Sequence, residues 1–379
     1  MTMMHLRTVV AMVLCLVMQM ATAAENTADI MHKVYDAIAY LLPLSVRRGD
    51  AATKWDKELI EEKLKVLTAA SGTLVKHADS EDAEFRLLAR SFDRLVQDIG
   101  VSFRAQWPDY AYYSLMELTD HCVACHSRLP AQSQDLFGQR LMARMNVEVL
   151  EPESRTLLYI ATRQFDAALS LFEQQLLDAK ISPIEADYRG IMLRYLRLAI
   201  STGGSNQRIT TFLDTYAKRK DVPYYIAHRL AHWRTALTRL TSSLEGTPDL
   251  NRARQIFDNG TALTLAPGNR LRAVEDLVAA RLMRSYLQAH PKAANAERGE
   301  IYYKLGIVAL RSSEPEPAVP ELEMLMAASI QSDAHGPFAQ DAYGILEEYG
   351  YIHDEHLAKQ SESRTLIDMA ALKKQVFGK

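Results

Sequence analysis

The segment that decides the fold runs from Asp109 to His126 and reads DYAYYSLMELTDHCVACH. Its apolar residues recur every three or four positions, which is the period of an amphipathic α-helix. Near the end of the segment, Cys122 and Cys125 stand three positions apart and therefore share one face of a helix. His126 follows directly and lies one turn from Cys122. The segment thus predicts a helix that presents two thiols and an imidazole to a common partner.

Two thiols with this spacing suit more than one partner. A C-x-x-C pair can bind zinc or form a redox disulfide, but the sequence has no second C-x-x-C and no βαβ pattern around this one. The His directly after the second Cys completes C-x-x-C-H, the attachment pattern of a c-type haem. The chain therefore resembles the c-type cytochromes. That resemblance implies one covalent haem c, with thioether bonds from Cys122 and Cys125 and with His126 as the proximal iron ligand.

Three further helices are predicted before this one. The first ends around Pro43, the second runs from about Asp50 to His77, and the third begins after Ser80 and ends near Gly100. Apolar residues keep the helical period in all three: Ile30, Val34, Ile38 and Leu41; Leu59, Leu64, Leu67 and Leu74; Phe85, Leu88, Phe92, Leu95 and Ile99. Clear alternating strand patterns are scarce. The sequence therefore predicts an all-α fold that begins with a four-helix haem bundle over residues 24–140.

Four helices with the motif near the end of the last one resemble the class II c-type cytochromes, the cytochrome c prime group. The resemblance implies that the first helix covers the distal face of the haem, opposite His126. Six-coordinate members use a Met near the start of that helix, and Met31 matches this placement. Thr27 stands where the family often has an Arg one turn earlier. Met31 is therefore the candidate distal iron ligand, with His32, another residue or no protein ligand as alternatives.

Residues 141–379 are predicted to form a helical-repeat domain. Three places resemble tetratricopeptide repeats, in which small residues let paired helices pack closely. They are Tyr159 with Ala168 and Phe172; Ala253 and Phe257 with Ala262; and Tyr302, Leu305, Gly306 and Ala309 with Ala318 and Leu322. The copies do not keep a clean 34-residue period, so a generic α-helical domain stays open. Either arrangement offers concave surfaces to other proteins.

The N-terminus predicts export. Residues 1–23 combine Arg7, an apolar run from Val9 to Met20, and a final Ala21-Thr22-Ala23, which is the pattern of a signal peptide. We expect cleavage near Ala23 and a periplasmic location, where the resemblance places haem attachment. An uncleaved anchor is the alternative. Cleavage removes the third cysteine, Cys15, and no later apolar run is long enough to span a membrane.

Composition and the remaining motifs exclude several functions. With 44 basic residues, 47 acidic residues and no basic stripe with aromatics, the chain is not expected to bind nucleic acid. Phosphate-binding loops and nucleophile elbows are not seen in the sequence. His228 and His232 share a helix face, but no third metal ligand is obvious beside them, and His353 and His356 lie in a charged segment. They are interpreted as surface histidines.

These observations favour a periplasmic monohaem cytochrome that carries single electrons and docks to a redox partner or protein complex through its helical repeats. It is more an electron carrier or haem-binding protein than an enzyme. Two alternatives remain: a five-coordinate haem protein that binds nitric oxide or carbon monoxide, and a repeat scaffold with a structural haem. The resemblance to class II bundles also allows a homodimer. His121 is expected to face solvent or lie near the haem propionates.

Overall fold

The computed structural model describes residues 26–46, 56–78, 83–105, 150–245, 247–259, 270–312, 319–357 and 368–378. It also describes single positions between them, which are 114, 115, 118, 121, 122, 125, 126, 142 and 147. These residues form helices joined by turns and short irregular segments, and no strand occurs among them. The predicted all-α fold class is confirmed. The predicted signal peptide over residues 1–23 lies outside the described residues.

Three long helices open the described chain: α1 Thr27–Val46, α2 Lys57–Ala78 and α3 Ala83–Arg104. Helix α1 continues three residues past the predicted end at Pro43, and α3 continues past Gly100. The buried residues follow the helical period in each, as Leu88, Phe92, Val96 and Ile99 do in α3. Helix α2 packs against both α1 and α3. Burial of one apolar stripe on each helix therefore holds this part together.

Twelve α-helices and one 3₁₀ turn follow among the described residues. They are α4 Pro152–Ala161, α5 Phe165–Leu177, α6 Pro183–Tyr188, α7 Ile191–Ser201, α8 Asn206–Tyr216, α9 Tyr224–Glu245, α10 Leu250–Asp258, the 3₁₀ turn Arg270–Arg272, α11 Ala273–Ala289, α12 Asn295–Ser312, α13 Val319–Ser332, α14 Ala339–Leu357 and α15 Met369–Phe377. Consecutive helices pack in pairs, and α7, α9 and α12 all contact α11.

The first place with repeat-like sequence falls on α4–α5, Ala253 and Phe257 of the second fall on α10, and the described residues of the third fall on α12–α13, whereas Ala262 and Ala318 lie outside the described residues. Helix α4 contacts α5, and α12 contacts α13. In the last pair the helices approach each other closely at Gly306, where a Cβ would stand 2.6 Å from the Met326 Cε. This contact explains why a residue without a side chain suits that position. Whether these pairs are true repeats stays a prediction.

Two apolar clusters form the interior. One gathers residues of α1–α3 with Leu115, Leu118 and Cys122, and the other runs through the helices from α4 to α15. Helix α4 contributes to both, because Leu158 and Ala161 belong to the first cluster while Ile160 belongs to the second. Helix α3 also contacts α13. The division at residue 140 stays a prediction, but the first cluster continues beyond it through Met142, Leu150, Leu158 and Ala161.

Candidate functional site

The cysteine–histidine motif lies on a helical segment against α1–α3. Every described position between 114 and 126 is helical, which agrees with the predicted motif helix, whose other residues lie outside the described residues. Cys122 is buried in the apolar cluster and Cys125 is partly buried. His126 is only 8% exposed. The helix therefore turns its motif inward, as an amphipathic segment with Leu115, Leu118 and Cys122 on one stripe must.

The imidazole of His126 faces α1. Its Nε2 atom lies 3.4 Å from the hydroxyl oxygen of Tyr35. The two rings meet edge to face, with centroids 6.1 Å apart and planes inclined by 67°. Tyr35 is 5% exposed, so this contact is closed to water. The first helix is therefore the element on the Nε2 side of the histidine.

The same hydroxyl also reaches the second region of the protein, which comprises the helices from α4 to α15. Tyr35 donates its proton to the backbone carbonyl of Ala161, with 2.9 Å between the two oxygens. Ala161 is the last residue of α4, and the last carbonyls of a helix have no partner within the helix. A side chain of α1 thus supplies a hydrogen-bond donor for the last carbonyl of α4. The neighbourhood of His126 is built from three parts of the chain that are far apart in sequence.

Met31 lies one turn before Tyr35 on α1, and residues four apart share a helix face. It is partly buried and packs against the apolar cluster, whereas the alternative His32 is exposed. Thr27, at the position of the family's arginine, shares a hydrogen bond of 2.7 Å with Nε2 of His77. Tyr35 of α1 contacts His126. Met31 as the distal ligand stays a prediction.

His121 differs from its expected place in solvent. It is 9% exposed, and its Nε2 atom is 2.8 Å from the Ser91 hydroxyl of α3. Its ring lies 6.5 Å from that of Phe92. The expectation of a solvent-facing imidazole is wrong, because the motif helix turns this position towards α3 as well. A location near the haem propionates stays a prediction.

Sequence reasoning missed Tyr35, Ser91 and the carbonyl of Ala161. Tyr35 carried one usable signal, since it falls four residues after Met31 on the same helix face. Ser91 and Ala161 carried none, because their partners lie 30 and 126 residues away in the chain. Only the packing of helices brings such pairs together.

The side chains at this site suit a covalent haem. Thioether attachment needs two cysteines on one face, and Cys122 and Cys125 are there. Iron in a haem takes an imidazole nitrogen, and the Nε2 atom of His126 points into the protein rather than towards solvent. The surroundings are apolar side chains of α1–α3, and an apolar shell limits access of water to a metal site. The donor set and its environment therefore fit the group that the motif implies.

The other histidines do not assemble a second metal centre in the part of the chain that the structure describes, where no three His, Cys, Asp or Glu side chains converge. His232 instead lies 3.2 Å from the buried carboxylate of Glu275, and His228 is exposed beside Tyr224. The backbone of His353 and His356 is part of α14, and their side chains lie outside the described residues. The i, i+4 pair of histidines is thus divided between a contact with a buried carboxylate and solvent.

Among the described residues, no helix has the length and apolar character needed to cross a lipid bilayer. Comparison with family models, with curated proteins and with solved structures gives no match. The functional argument for this chain therefore rests on its own motif and on the geometry around His126.

Proposed function

We propose that this protein is a monohaem c-type cytochrome of the periplasm that carries single electrons. The observation that supports it is the C-x-x-C-H motif on a helical segment, with Cys122 and His126 buried against α1–α3. A redox cysteine pair needs no histidine held in the interior beside it, and a zinc site needs converging His, Cys, Asp or Glu ligands, of which no group of three is found among the described residues. A haem does need such a histidine, together with an apolar wall.

In this proposal the residues of the chain have separate tasks. Cys122 and Cys125 fix the group to the motif helix, and the buried imidazole of His126 holds the iron. When bound, the haem supplies a one-electron couple. The apolar side chains of α1–α3 would exclude water, and α1 would cover the side opposite His126, with Met31 as the candidate ligand from sequence. The Tyr35 hydroxyl of the same helix lies 3.4 Å from Nε2 of His126.

The second region is proposed to dock a redox partner or protein complex. Its helix pairs form a continuous apolar cluster from Ile160 to Val376, so the region can act as a stiff support. Tyrosines are frequent in protein interfaces, and Tyr188 of α6 and Tyr224 of α9 are 72% and 84% exposed. Export with cleavage near Ala23, the lack of a nucleic-acid partner and the capacity to form a homodimer belong to the same proposal.

The direct test is expression of the full chain with its signal peptide in a bacterium that attaches haem c. We expect the mature protein to stain for haem on a denaturing gel, because thioether bonds survive denaturation. Cys122→Ser with Cys125→Ser should abolish the stain, while a substitution of the signal-peptide residue Cys15→Ser should leave it unchanged. Equal staining of the double variant and the wild type would disprove covalent attachment.

The visible spectrum then separates the electron carrier from the gas-binding alternative. A six-coordinate carrier should give a low-spin reduced spectrum with a sharp α band and should not change when carbon monoxide is added. A broad high-spin spectrum that shifts with carbon monoxide would favour gas binding. Both outcomes require the covalent haem, so the spectrum tests the function independently of whether the cofactor is present.

A further inference from the structure

We propose that the second region recognises an acidic protein partner through an exposed aromatic face, which is formed by α6, by the start of α9 and by the end of α5. The proposal rests on the docking role proposed for this region, but not on the haem. The exposed apolar side chains that define the aromatic face are Leu177, Ile184, Tyr188, Tyr224 and Tyr225. They are five of the seven large apolar side chains that are exposed among the described residues. Single exposed apolar residues are normal, whereas a group of them marks an interaction site.

The two connecting segments of the aromatic face lie against one another. Between α8 and α9, the guanidinium of Arg219 donates to the carbonyls of Asp178 and Ile181 at 3.2 and 3.0 Å. It also donates to the carbonyl of Leu176. These carbonyls belong to the end of α5 and to the segment that leads into α6. One side chain therefore holds the segment before α9 against the segment before α6.

Helices α6 and α9 are joined by a second arginine. Arg229 of α9 pairs with the carboxylate of Asp187 in α6, and its guanidinium lies 5.8 Å from the centre of the Tyr225 ring. Tyr188 follows Asp187 directly in the chain, and Ile184 lies one turn before Tyr188 on the same side of α6. The exposed side chains of α6 and of the start of α9 are therefore neighbours on one surface.

The charges around the aromatic face leave an excess of lysines. Asp221 pairs with Arg219 at 2.7 Å, and Glu185 pairs with Arg189 at 3.4 Å. The exposed lysines of the face, which take part in no ion pair of the described residues, are Lys180, Lys218 and Lys220. Only the carboxylate of Asp178, which accepts a backbone N–H at 2.8 Å, stands against these three charges. A positive surface of this kind attracts a partner of opposite charge.

The same charges distinguish a protein partner from two other occupants. A second copy of the chain related by a two-fold axis would present the same lysines to one another. An anionic lipid surface would repel the exposed carboxylates of Glu185 and Asp221. A protein can place carboxylates opposite the lysines and apolar side chains opposite the tyrosines. The geometry therefore favours an acidic protein with an apolar centre.

The tyrosines and the lysines have separate roles in this proposal. A tyrosine supplies a large contact area at a low cost in side-chain entropy, so it slows dissociation. Lysines at the rim of the face speed up association, and this effect falls as salt screens their charges. We therefore expect salt to lower the rate of association more than it raises the rate of dissociation.

The test uses the exported full-length protein and two defined polymers as probes. A random copolymer of glutamate and tyrosine carries both features of the partner, whereas polyglutamate carries only the charge. We expect the copolymer to bind the wild type more tightly than polyglutamate does. Tyr188→Ser with Tyr224→Ser should weaken binding of the copolymer by about tenfold and leave polyglutamate unchanged. Lys218→Glu with Lys220→Glu should weaken binding of both polymers by about tenfold or more.

A matched control comes from another exposed place, where Phe377 and Lys373 lie on α15. Phe377→Ser with Lys373→Glu should bind both polymers as the wild type does. An equal loss in this control, or no loss in the two variants of the aromatic face, would overturn the proposal. So would phosphatidylglycerol vesicles that bind through the aromatic face when the copolymer does not, or a dimer that both variants of the face dissociate.

Chemical acetylation of the wild type decides the question if a variant does not fold, as judged by circular dichroism. Protection of Lys218 and Lys220 by the copolymer, with Lys373 still modified, supports the proposal, and equal modification with and without the copolymer refutes it. Haem staining of the same samples keeps the two proposals apart. A chain that binds the copolymer but does not stain would disprove the cytochrome and leave the docking face.

Discussion

The two regions of this protein bury different kinds of polar group. Around α1–α3 and the motif helix, the buried polar residues that the structure describes are serines and the two histidines, with no Lys, Arg, Asp or Glu among them. The helices from α10 to α13 instead bury Glu275, Asp276, Lys304, Arg311 and Glu323. Neutral surroundings suit a bound cofactor, because they leave its charge and ligands to the few polar groups at the site.

The buried charges of the second region join helices that are distant in sequence. Arg311 of α12 lies 3.3 Å from Asp276 of α11, and its guanidinium stacks on Phe257 of α10 at 5.1 Å. Burial raises the pKa of the Asp276 carboxyl, while Arg311 and Arg272 oppose that rise. A buried ion pair of this kind contributes more to the specificity of helix packing than to the net stability of the fold. The comparison teaches that the first region buries neutral polar groups around its cysteine–histidine motif, whereas the second buries charged pairs that join its helices.

Truncation tests whether the regions are separable and should give the largest effect. A fragment of residues 24–140 loses Leu150 and Leu158, whose burial contributes about 1.5–3 kcal/mol each, and also loses the carbonyl that binds Tyr35. We expect a fragment of residues 24–180 to keep haem and helicity better. Urea denaturation followed by the haem spectrum measures the difference. Equal midpoints for the two fragments would place the boundary at residue 140, as the sequence predicts.

Removal of one partner of the buried ion pair tests the second region alone. Arg311→Met leaves the Asp276 carboxylate buried with only the more distant Arg272, at 4.0 Å, beside it. We expect the free energy of unfolding to fall by about 3–5 kcal/mol. The control Arg234→Met removes an exposed pair with Asp214 and should cost at most about 1 kcal/mol.

A double variant sharpens the same comparison. Asp276→Asn in the Arg311→Met background removes the isolated charge and should restore part of the lost stability. Calorimetry of the holoprotein should show these losses while the haem spectrum stays that of the wild type. A changed spectrum in Arg311→Met would mean that the two regions are coupled more tightly than their interiors indicate.

Acid should lower the free energy of unfolding of the second region by less than the substitution of Arg311 does. Burial raises the pKa of Glu300, but hydrogen bonds from Arg254 and Lys304 outweigh it and hold the pKa below the usual range. A carboxyl with a lowered folded pKa stabilises the protein above its unfolded pKa, which is about 4.3, and this stability is lost as the pH falls through the folded pKa. The free energy of unfolding should therefore decrease below about pH 4.3.

The variant Glu300→Gln isolates that contribution. At neutral pH it should lower the free energy of unfolding by about 1.5–3 kcal/mol, the range for a hydrogen bond to a charged group, and it should flatten the acid decline. Glu185→Gln, which removes an exposed pair with Arg189, serves as its control. An acid decline that is equally steep in Glu300→Gln and in the wild type would show that other carboxylates cause it.

The sequence by itself determined the local features of this protein. The three- and four-residue spacing of apolar residues fixed where α1, α2 and α3 lie, within several residues at each end. The spacing of Cys122, Cys125 and His126 determined which side chains share a helix face. These features follow from backbone geometry over a few residues, so they need no knowledge of the rest of the chain.

Only the tertiary structure decided which groups meet. His126 faces Tyr35, 91 residues earlier, and Tyr35 donates to Ala161, 126 residues later. The sequence also did not predict the inward position of His121 or the pairing of Asp276 with Arg311. Such contacts depend on how whole helices pack, and a helical period says which face is buried but not what it is buried against. The sequence therefore identified the motif, while the folded chain supplied the groups that surround it.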